Sequence, residues 1–381
     1  MKINILQGAF LPVPPIRGGA IESAWQLLAE EFVKFGHVVD YYSRRCDGLK
    51  CDEFLNGVHH IRLKSTDAVK SPFFLKALEL PYVLRAKKVM QKADILVTHA
   101  FWAPILFHPY KYGKLYVHVG RYPKGQLNLY EKANRLQPPS QAIAEVCINQ
   151  TTSQRHKIKA LPYPLPWDVT NKPEFHRKKN IILYAGRIHP EKGILELIEA
   201  WKNIHESLAK NYELKLIGPW KEKEGGAGKS FRDRIEQEIG HSRNKIKIFE
   251  PIFDRKKLKS KIIDSKFFIY PSKAERGETF GLSVLEAMSC GTVPIVSNLA
   301  CFKDFLEFPK HAYCINPIEG KTFSKDIEKS ISQALSDDSS AIEIKSKACW
   351  HKAKQYEITE VAKLYINDFQ SLLLETDLAV I

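Results

Sequence analysis

Three short stretches carry side chains whose types and spacing suit phosphate and sugar chemistry. In "ERGETFGLSVLEAMSCGTVPIV" the carboxylates of Glu278 and Glu286 have seven residues between them. "GETFG" is a poor helix former and "LSVLEAM" a good one, so Glu278 belongs to a loop and Glu286 to the helix that follows, about one turn in. Gly281 lets the backbone approach a ligand closely, and the amides around Thr279, Phe280, Gly281 and Leu282 open the helix toward the same space. A carboxylate at the place of Glu286 suits a pair of ribose hydroxyls, while Glu278 would stand beside whatever the far phosphate carries. A surface or capping glutamate is the plainer use of the same spacing.

In "YAGRIHPEKGILEL", Arg187 ends a strand and Lys192 precedes a helix. That pair can clamp a diphosphate, Arg by its planar fork and Lys as a point charge; two solvated loop cations are the alternative. "PIRGGAIES" supplies Arg17, Gly18 and Gly19 at another strand-to-helix loop, without the G-x-G-x-x-G of a dinucleotide site. In "LYVHVGRYPKGQ", His118 closes a strand and Arg121 and Lys124 follow it. An imidazole there can donate to a sugar hydroxyl or carry a proton, with His99 as its rival in an equivalent place.

Other chemistry finds little support. "KEGGAGKSF" imitates the end of a P-loop, yet the first glycine of that motif would fall on Lys223, so the segment reads as a flexible loop. There is no D-x-D and no His/Asp/Glu spacing fit for a metal, so neither metal nor cofactor is expected. Arg187, Lys192 and helix N-termini would have to neutralise a diphosphate by themselves.

The elements that must position these groups come in two alternating series. "KINILQGAF", "VVDYYS", "GVHHIRL", "DILVTHA" and "KLYVHVG" read as strands, with helices between some of them. After a proline-rich connector holding Pro162, Pro164, Pro166 and Pro173, alternation restarts with "NIILYAGRI", "YELKLIG", "KIKIFEPI", "KFFIYPS" and "VPIVSN". The fold class expected is α/β, two Rossmann-like domains facing across a cleft, over residues 1–165 and 166–355. "ITEVAKLYINDFQSLLLE" shows the apolar stripe Val361, Leu364, Tyr365 and Phe369, and its segment, 356–381, is expected to return to the first domain.

The 381 residues hold 58 Lys and Arg against 43 Asp and Glu, a formal charge of +15, and 23 of those cations against 12 acids lie in residues 1–165. That surplus favours anionic partners: phosphorylated ligands, an anionic membrane face, or nucleic acid. The basic amphipathic segment "PYVLRAKKVMQKAD" suits a membrane surface or a solvated helix face. Nucleic acid is not expected as a partner, because no recognition-helix signature accompanies the charge. No stretch resembles a signal peptide or a bilayer span, and the seven scattered cysteines read as reduced thiols, so a cytoplasmic protein is expected, peripheral on the inner membrane face.

Taken in order, "GGAIES" with its following "GH", "YAGRIHPEKG" and "IYPSKAERGETFGLSVLEAMSCGTVPIV" resemble glycosyltransferase family 4, retaining enzymes of the GT-B type. The resemblance covers about residues 1 to 300 and implies transfer of a hexosyl group from a nucleotide sugar, UDP- or GDP-linked, to a glycan or lipid-linked acceptor, in cell-surface polysaccharide or glycolipid synthesis. It implies catalytic roles for Arg187, Lys192, Glu278 and His118, donor contacts from Gly18, Gly19, Thr279, Phe280, Gly281, Leu282 and Glu286, and acceptor contacts from Arg17, Arg121 and Lys124. "LPYPLPWDV" stands where relatives carry "PNGVD", a departure from the pattern. A non-catalytic partner subunit and a nucleic-acid-binding protein are the alternatives; competent residues at every motif position argue against the first.

Overall fold

A computed structural model describes residues 1–69, 71–169, 172–240, 242–316 and 322–375. The chain divides into two compact units, Met1–Pro166 with the segment from Ile358 onward, and Trp167–Glu357. The last six residues of the expected returning segment 356–381 lie outside the described residues.

In the first unit, β1 (Lys2–Leu6), β2 (Val38–Arg44), β3 (Asp52–Leu55), β4 (Val58–Leu63), β5 (Ile95–Thr98), β6 (Lys114–His118) and β7 (Arg135–Gln137) form one sheet of order β3-β4-β2-β1-β5-β6-β7. All neighbours are parallel except the β3–β4 hairpin. Central strands buried on both faces read as near-continuous apolar runs, and β5, "ILVT", is buried along its whole length.

The helix Ile358–Leu374 packs in this unit against Ala20–Lys34. Trp25 meets Tyr365 and Phe32 meets Phe369 edge to face, with ring centroids 5.2 and 5.7 Å apart. Its Asp368 is fully buried and accepts from Tyr116 at 3.0 Å, from Arg135 at 2.9 and 3.1 Å, and from Lys159 at 2.9 Å. A charge so deep in an apolar setting is tolerable only when paired and fully hydrogen-bonded, so this carboxylate fixes the seat of the helix.

In the second unit, β8 (Lys179–Ala185), β9 (Glu213–Ile217), β10 (Ile246–Phe249), β11 (Ser265–Tyr270), β12 (Val293–Ser297) and β13 (Tyr313–Ile315) form an all-parallel sheet of order β10-β9-β8-β11-β12-β13. The order turns at β8 and β11, which lie side by side. Parallel sheets of this kind place ligands outside the carboxyl ends of the strands at such a switch. At the opposite, amino edge, the buried Lys178 ammonium donates to the carbonyls of Ile263, Ser265 and Cys290 and meets the Thr292 hydroxyl, all within 3.1 Å. It thereby satisfies carbonyls left over at two helix ends.

Candidate active site

The site begins with the two loops that leave β8 and β11. After β8 the chain runs through Arg187 into the short turn Pro190–Lys192 and then the helix Ile194–Asn203. Gly193 between them has φ +69°, and a Cβ there would strike the Pro271 carbonyl of the other loop, so glycine is what lets the loops touch. The Lys273 amide donates to the Glu191 carbonyl at 2.8 Å and ties them further.

Across this seam Lys192 and Glu278 form a buried ion pair, the two residues 2 % and 8 % exposed. The same Glu278 oxygen accepts from the Tyr270 hydroxyl at 2.8 Å and from Ser272 at 3.3 Å. Tyr270 stacks on Tyr184 with centroids 5.9 Å apart, and burial pushes both phenols well above their ordinary pKa. The Glu278 carboxylate is therefore held by three donors on a floor of two neutral tyrosines.

Arg187 is more open. Its guanidinium pairs with Glu191 at 2.7 Å and donates to the Gly225 carbonyl at 3.1 Å. That carbonyl belongs to "KEGGAGK", expected to be a flexible loop. The structure instead shows a hydrogen-bonded turn: Gly226 N–H donates to Lys221, Gly228 N–H to Trp220, and Ala227 N–H to Ile188, each at 3.0 Å or less. Its glycines are used for tight turns joining β9 to the helix Lys229–Gly240, a role that a P-loop comparison does not test.

Beyond Glu278, Thr279 is half-buried, while Phe280 is buried against Phe305, ring centroids 5.3 Å apart. Gly281 caps the helix Leu282–Ser289 in the left-handed region at φ +91°, where a Cβ would enter the Phe302 ring. The first amides of that helix, at Leu282 and Ser283, have no acceptor within it and lie at the positive end of its dipole. Glu286 is half-buried further along; loss of hydration pushes its carboxyl up to about 7, against the opposing charge of Arg255.

The corresponding edge of the first unit has a different character. His118 is buried, with Nδ1 bonded to Gln137 at 2.6 Å and Nε2 to the Tyr163 hydroxyl at 2.8 Å. Burial drives its pKa down to about 4, so the ring is neutral near pH 7, and both nitrogens are engaged within the unit. Trp25 and His99 pack on it edge-on, with centroids 5.5 and 5.1 Å away. Gly18 and Gly19 turn the chain into the helix Ala20–Lys34, whose buried Glu22 accepts from Gln7 at 3.0 Å. Arg17 pairs with Asp67 at 3.0 Å, and Lys124 is exposed. Exposed Arg121 acts electrostatically on both Glu22 and Glu79, a buried carboxyl that burial raises to about 7 although the amides of Phe101 and Trp102 donate to it.

Residues 167–348, the whole span that holds Arg187, Lys192, Glu278 and Glu286, match the family "Glycosyl transferases group 1". A serotype-specific mannosyltransferase, WbdA of Escherichia coli, is 25% identical to the chain over 255 residues, covering 64% of this chain and 29% of that protein. The chain thus spans less than a third of the length of the curated relatives it matches.

Among solved structures, sucrose-phosphate synthase from Thermosynechococcus elongatus superposes with TM-score 0.78 at 16% identity, covering 98% of this chain and 100% of that one. The UDP-forming α,α-trehalose-phosphate synthase of Burkholderia xenovorans, solved with glucose-6-phosphate, gives TM-score 0.74 at 11% identity, covering 97% and 100%. Anabaena HepE, solved with UDP and glucose, gives 0.71 at 14%, covering 97% and 99%. The fold is therefore of the GT-B type, as the resemblance led one to expect.

Within residues 167–348, the structure brings Lys192 and Glu278 into contact, with Gly281 three residues beyond Glu278, and links Arg187 to Lys192 through Glu191. Glu286 stands apart, nearest in charge to Arg255. Sequence reasoning missed Tyr270, Ser272 and Glu191. Tyr270 closes β11, so its place at a carboxyl end was the available signal; nothing in the sequence marks Glu191 as the partner of Arg187.

Proposed function

We propose that the chain is a retaining glycosyltransferase, moving a hexosyl group from a nucleoside diphosphate to a glycan or lipid-linked acceptor in cell-surface polysaccharide or glycolipid synthesis. The buried Lys192–Glu278 pair at the switch point of the second sheet carries this reading, because it sits within the family segment beside the Gly281 helix start. Mannosyltransferase relatives and neighbours solved with UDP, glucose or glucose-6-phosphate support a sugar nucleotide as donor.

In this reading Lys192, Arg187 and the amides at Phe280, Gly281 and Leu282 hold the diphosphate, Glu286 accepts from the ribose hydroxyls, and Glu278 with Thr279 faces the donor sugar. Gly18, Gly19 and His118 border the reacting sugar; His118 does so as a neutral, fixed ring. Arg17, Arg121 and Lys124 serve the acceptor, at an anionic membrane surface. The bond from the anomeric carbon to the diphosphate oxygen breaks, a bond to the acceptor oxygen forms on the same face, and the acceptor's proton passes to the departing diphosphate. Arg187 and Lys192 stabilise the charge that grows on that diphosphate, an effect worth about 3 kcal/mol per well-placed donor in comparable sites.

A thermal-shift screen of UDP-, GDP-, ADP- and TDP-sugars tests the reading, since a bound donor raises the melting temperature with its occupancy. One nucleotide class is expected to shift the protein, Glu286→Ala to abolish the shift from the bare nucleoside diphosphate, and the transferred sugar to keep its anomeric configuration by NMR. No shift from any of the four, or near wild-type kcat in Arg187→Ala and Lys192→Ala, would refute it.

A further inference from the structure

The helix Pro72–Val89 is apolar on two opposite faces. Tyr82, Val83 and Ala86 are buried in the core of the first unit, with the Tyr82 hydroxyl donating to the Gln7 carbonyl at 3.0 Å. Outward, Phe73, Ala77, Pro81, Leu84 and Lys88 follow i+4, i+4, i+3 and i+4 steps and are all exposed, forming one continuous stripe. Phe73 is 76% exposed, and Phe74 beside it 61%. Two large rings in water at one helix end are unusual on a self-sufficient surface and mark a contact site.

The charges around the stripe have one sign. Lys76, Arg85, Lys88 and Lys92 are exposed, while Glu79, the one acidic residue between positions 68 and 93, is buried. Apolar side chains on a helix face flanked by cations fit a surface that is oily beneath an anionic layer, whereas an acidic protein partner would match the cations and leave the rings uncovered. The helix also has a defined orientation. The Trp102 indole donates to the Lys76 carbonyl at 2.7 Å, and the Lys76 ammonium lies 4.1 Å from the Phe101 ring centroid, so the end bearing Phe73 and Phe74 stands by the loop leaving β5. That is the carboxyl edge of the first sheet.

We propose that this outer face docks on an anionic lipid bilayer, with Phe73 and Phe74 entering the interface and Lys76, Arg85 and Lys88 meeting the headgroups. The orientation brings the carboxyl edge of the first sheet to the membrane, where a lipid-linked acceptor would be presented; only this last step rests on the transferase reading.

Vesicle flotation of the full chain tests it, using phosphatidylcholine alone and phosphatidylcholine mixed with phosphatidylglycerol. Binding is expected only to the mixed vesicles and to weaken with salt. Phe73→Ser with Phe74→Ser should weaken it at least about tenfold, and Arg85→Gln with Lys88→Gln about fivefold for each charge removed. Melting temperature and nucleotide-sugar thermal shifts should stay as in the wild type, because these side chains are exposed. Absence of wild-type binding, equal binding to neutral vesicles, undiminished binding by both variants, or a dimer in size-exclusion chromatography that the phenylalanine variants dissolve would each overturn the proposal. Failure of the transferase reading would look different: no shift from any nucleotide sugar, with flotation intact.

Discussion

The carboxyl edges of the two sheets are built on one plan and filled with opposite chemistry. In the second unit a full positive and a full negative charge are buried together, Lys192 against Glu278. At the matching edge of the first unit a histidine is kept uncharged by burial, its two nitrogens satisfied by Gln137 and Tyr163, with Trp25 against it, and the buried Glu22 and Glu79 carboxyls are raised by loss of hydration. A buried cation can hold an incoming anion, and beside it Glu278 keeps the Tyr270 and Ser272 donors. A neutral ring already bonded at both nitrogens offers shape and rigidity instead. One architecture thus carries a charged cluster in the second unit and a rigid, hydrogen-bonded aromatic cluster in the first.

The largest effect should come from breaking the charged pair. Lys192→Ala leaves Glu278 buried without its cation and is expected to cost about 3 to 5 kcal/mol of stability, read by chemical denaturation. Lys192→Met combined with Glu278→Gln should recover most of that stability while leaving nucleoside diphosphate binding lost. Recovery of both would show that the pair serves folding alone.

The neutral edge should reveal itself in acid. The folded pKa of His118, about 4, lies below the ordinary histidine value of 6.5, so between those pH values the unfolded chain binds more protons. Stability therefore rises with pH through that window and is lost as pH falls, by about 3 kcal/mol at pH 4 or below. His118→Gln, which keeps hydrogen-bonding capacity without the titration, should lessen the slope between pH 4 and 6.5. An unchanged slope would assign it to other buried histidines such as His60, which burial also lowers to about 4.

A smaller effect should follow at Glu191, which pairs with Arg187 and in the proposed reading competes with the donor phosphate for it. Exposed pairs of this kind contribute about 0 to 1 kcal/mol, so Glu191→Gln should tighten nucleoside diphosphate binding by no more than about fivefold in calorimetry. Weaker binding would mean that Glu191 positions Arg187 rather than competes for it.

Most of the fold was legible because strand and helix periods alternate clearly in both halves. Segments such as "NIILYAGRI" and "KFFIYPS" take in β8 and β11 but for their first residues, Lys179 and Ser265. The short strands β3, β7 and β13, of three or four residues, lack enough length for any period to show. "PYVLRAKKVMQKAD" marked a helix, yet the helix begins at Pro72 and stops at Val89, because being apolar on two faces blurs the usual stripe.

Of the candidate site, residue types at strand ends could be read, but partnerships could not. Lys192 reads with Arg187 as a diphosphate clamp and Glu278 as a loop carboxylate near the donor sugar, with no contact between them expected; they touch across 86 residues of chain, and no local pattern encodes such a contact. Likewise the position of His118 at the end of β6 was visible, but its burial depends on Tyr163 and Trp25, which lie far from it in the chain.

The return of the chain to its first unit also constrains the order of events on the ribosome. The second unit is contiguous, from Trp167 to Glu357, and can be completed before the segment from Ile358 onward is made. The first unit cannot, although it starts first: Arg135, Tyr116 and Lys159 await Asp368, and the rings of Trp25 and Phe32 await Tyr365 and Phe369. Domains commonly mature from the N-terminus onward during synthesis. Here the earliest-made sheet is the last to be sealed, and an mRNA truncated before codon 358 would yield a finished second unit beside an open first one.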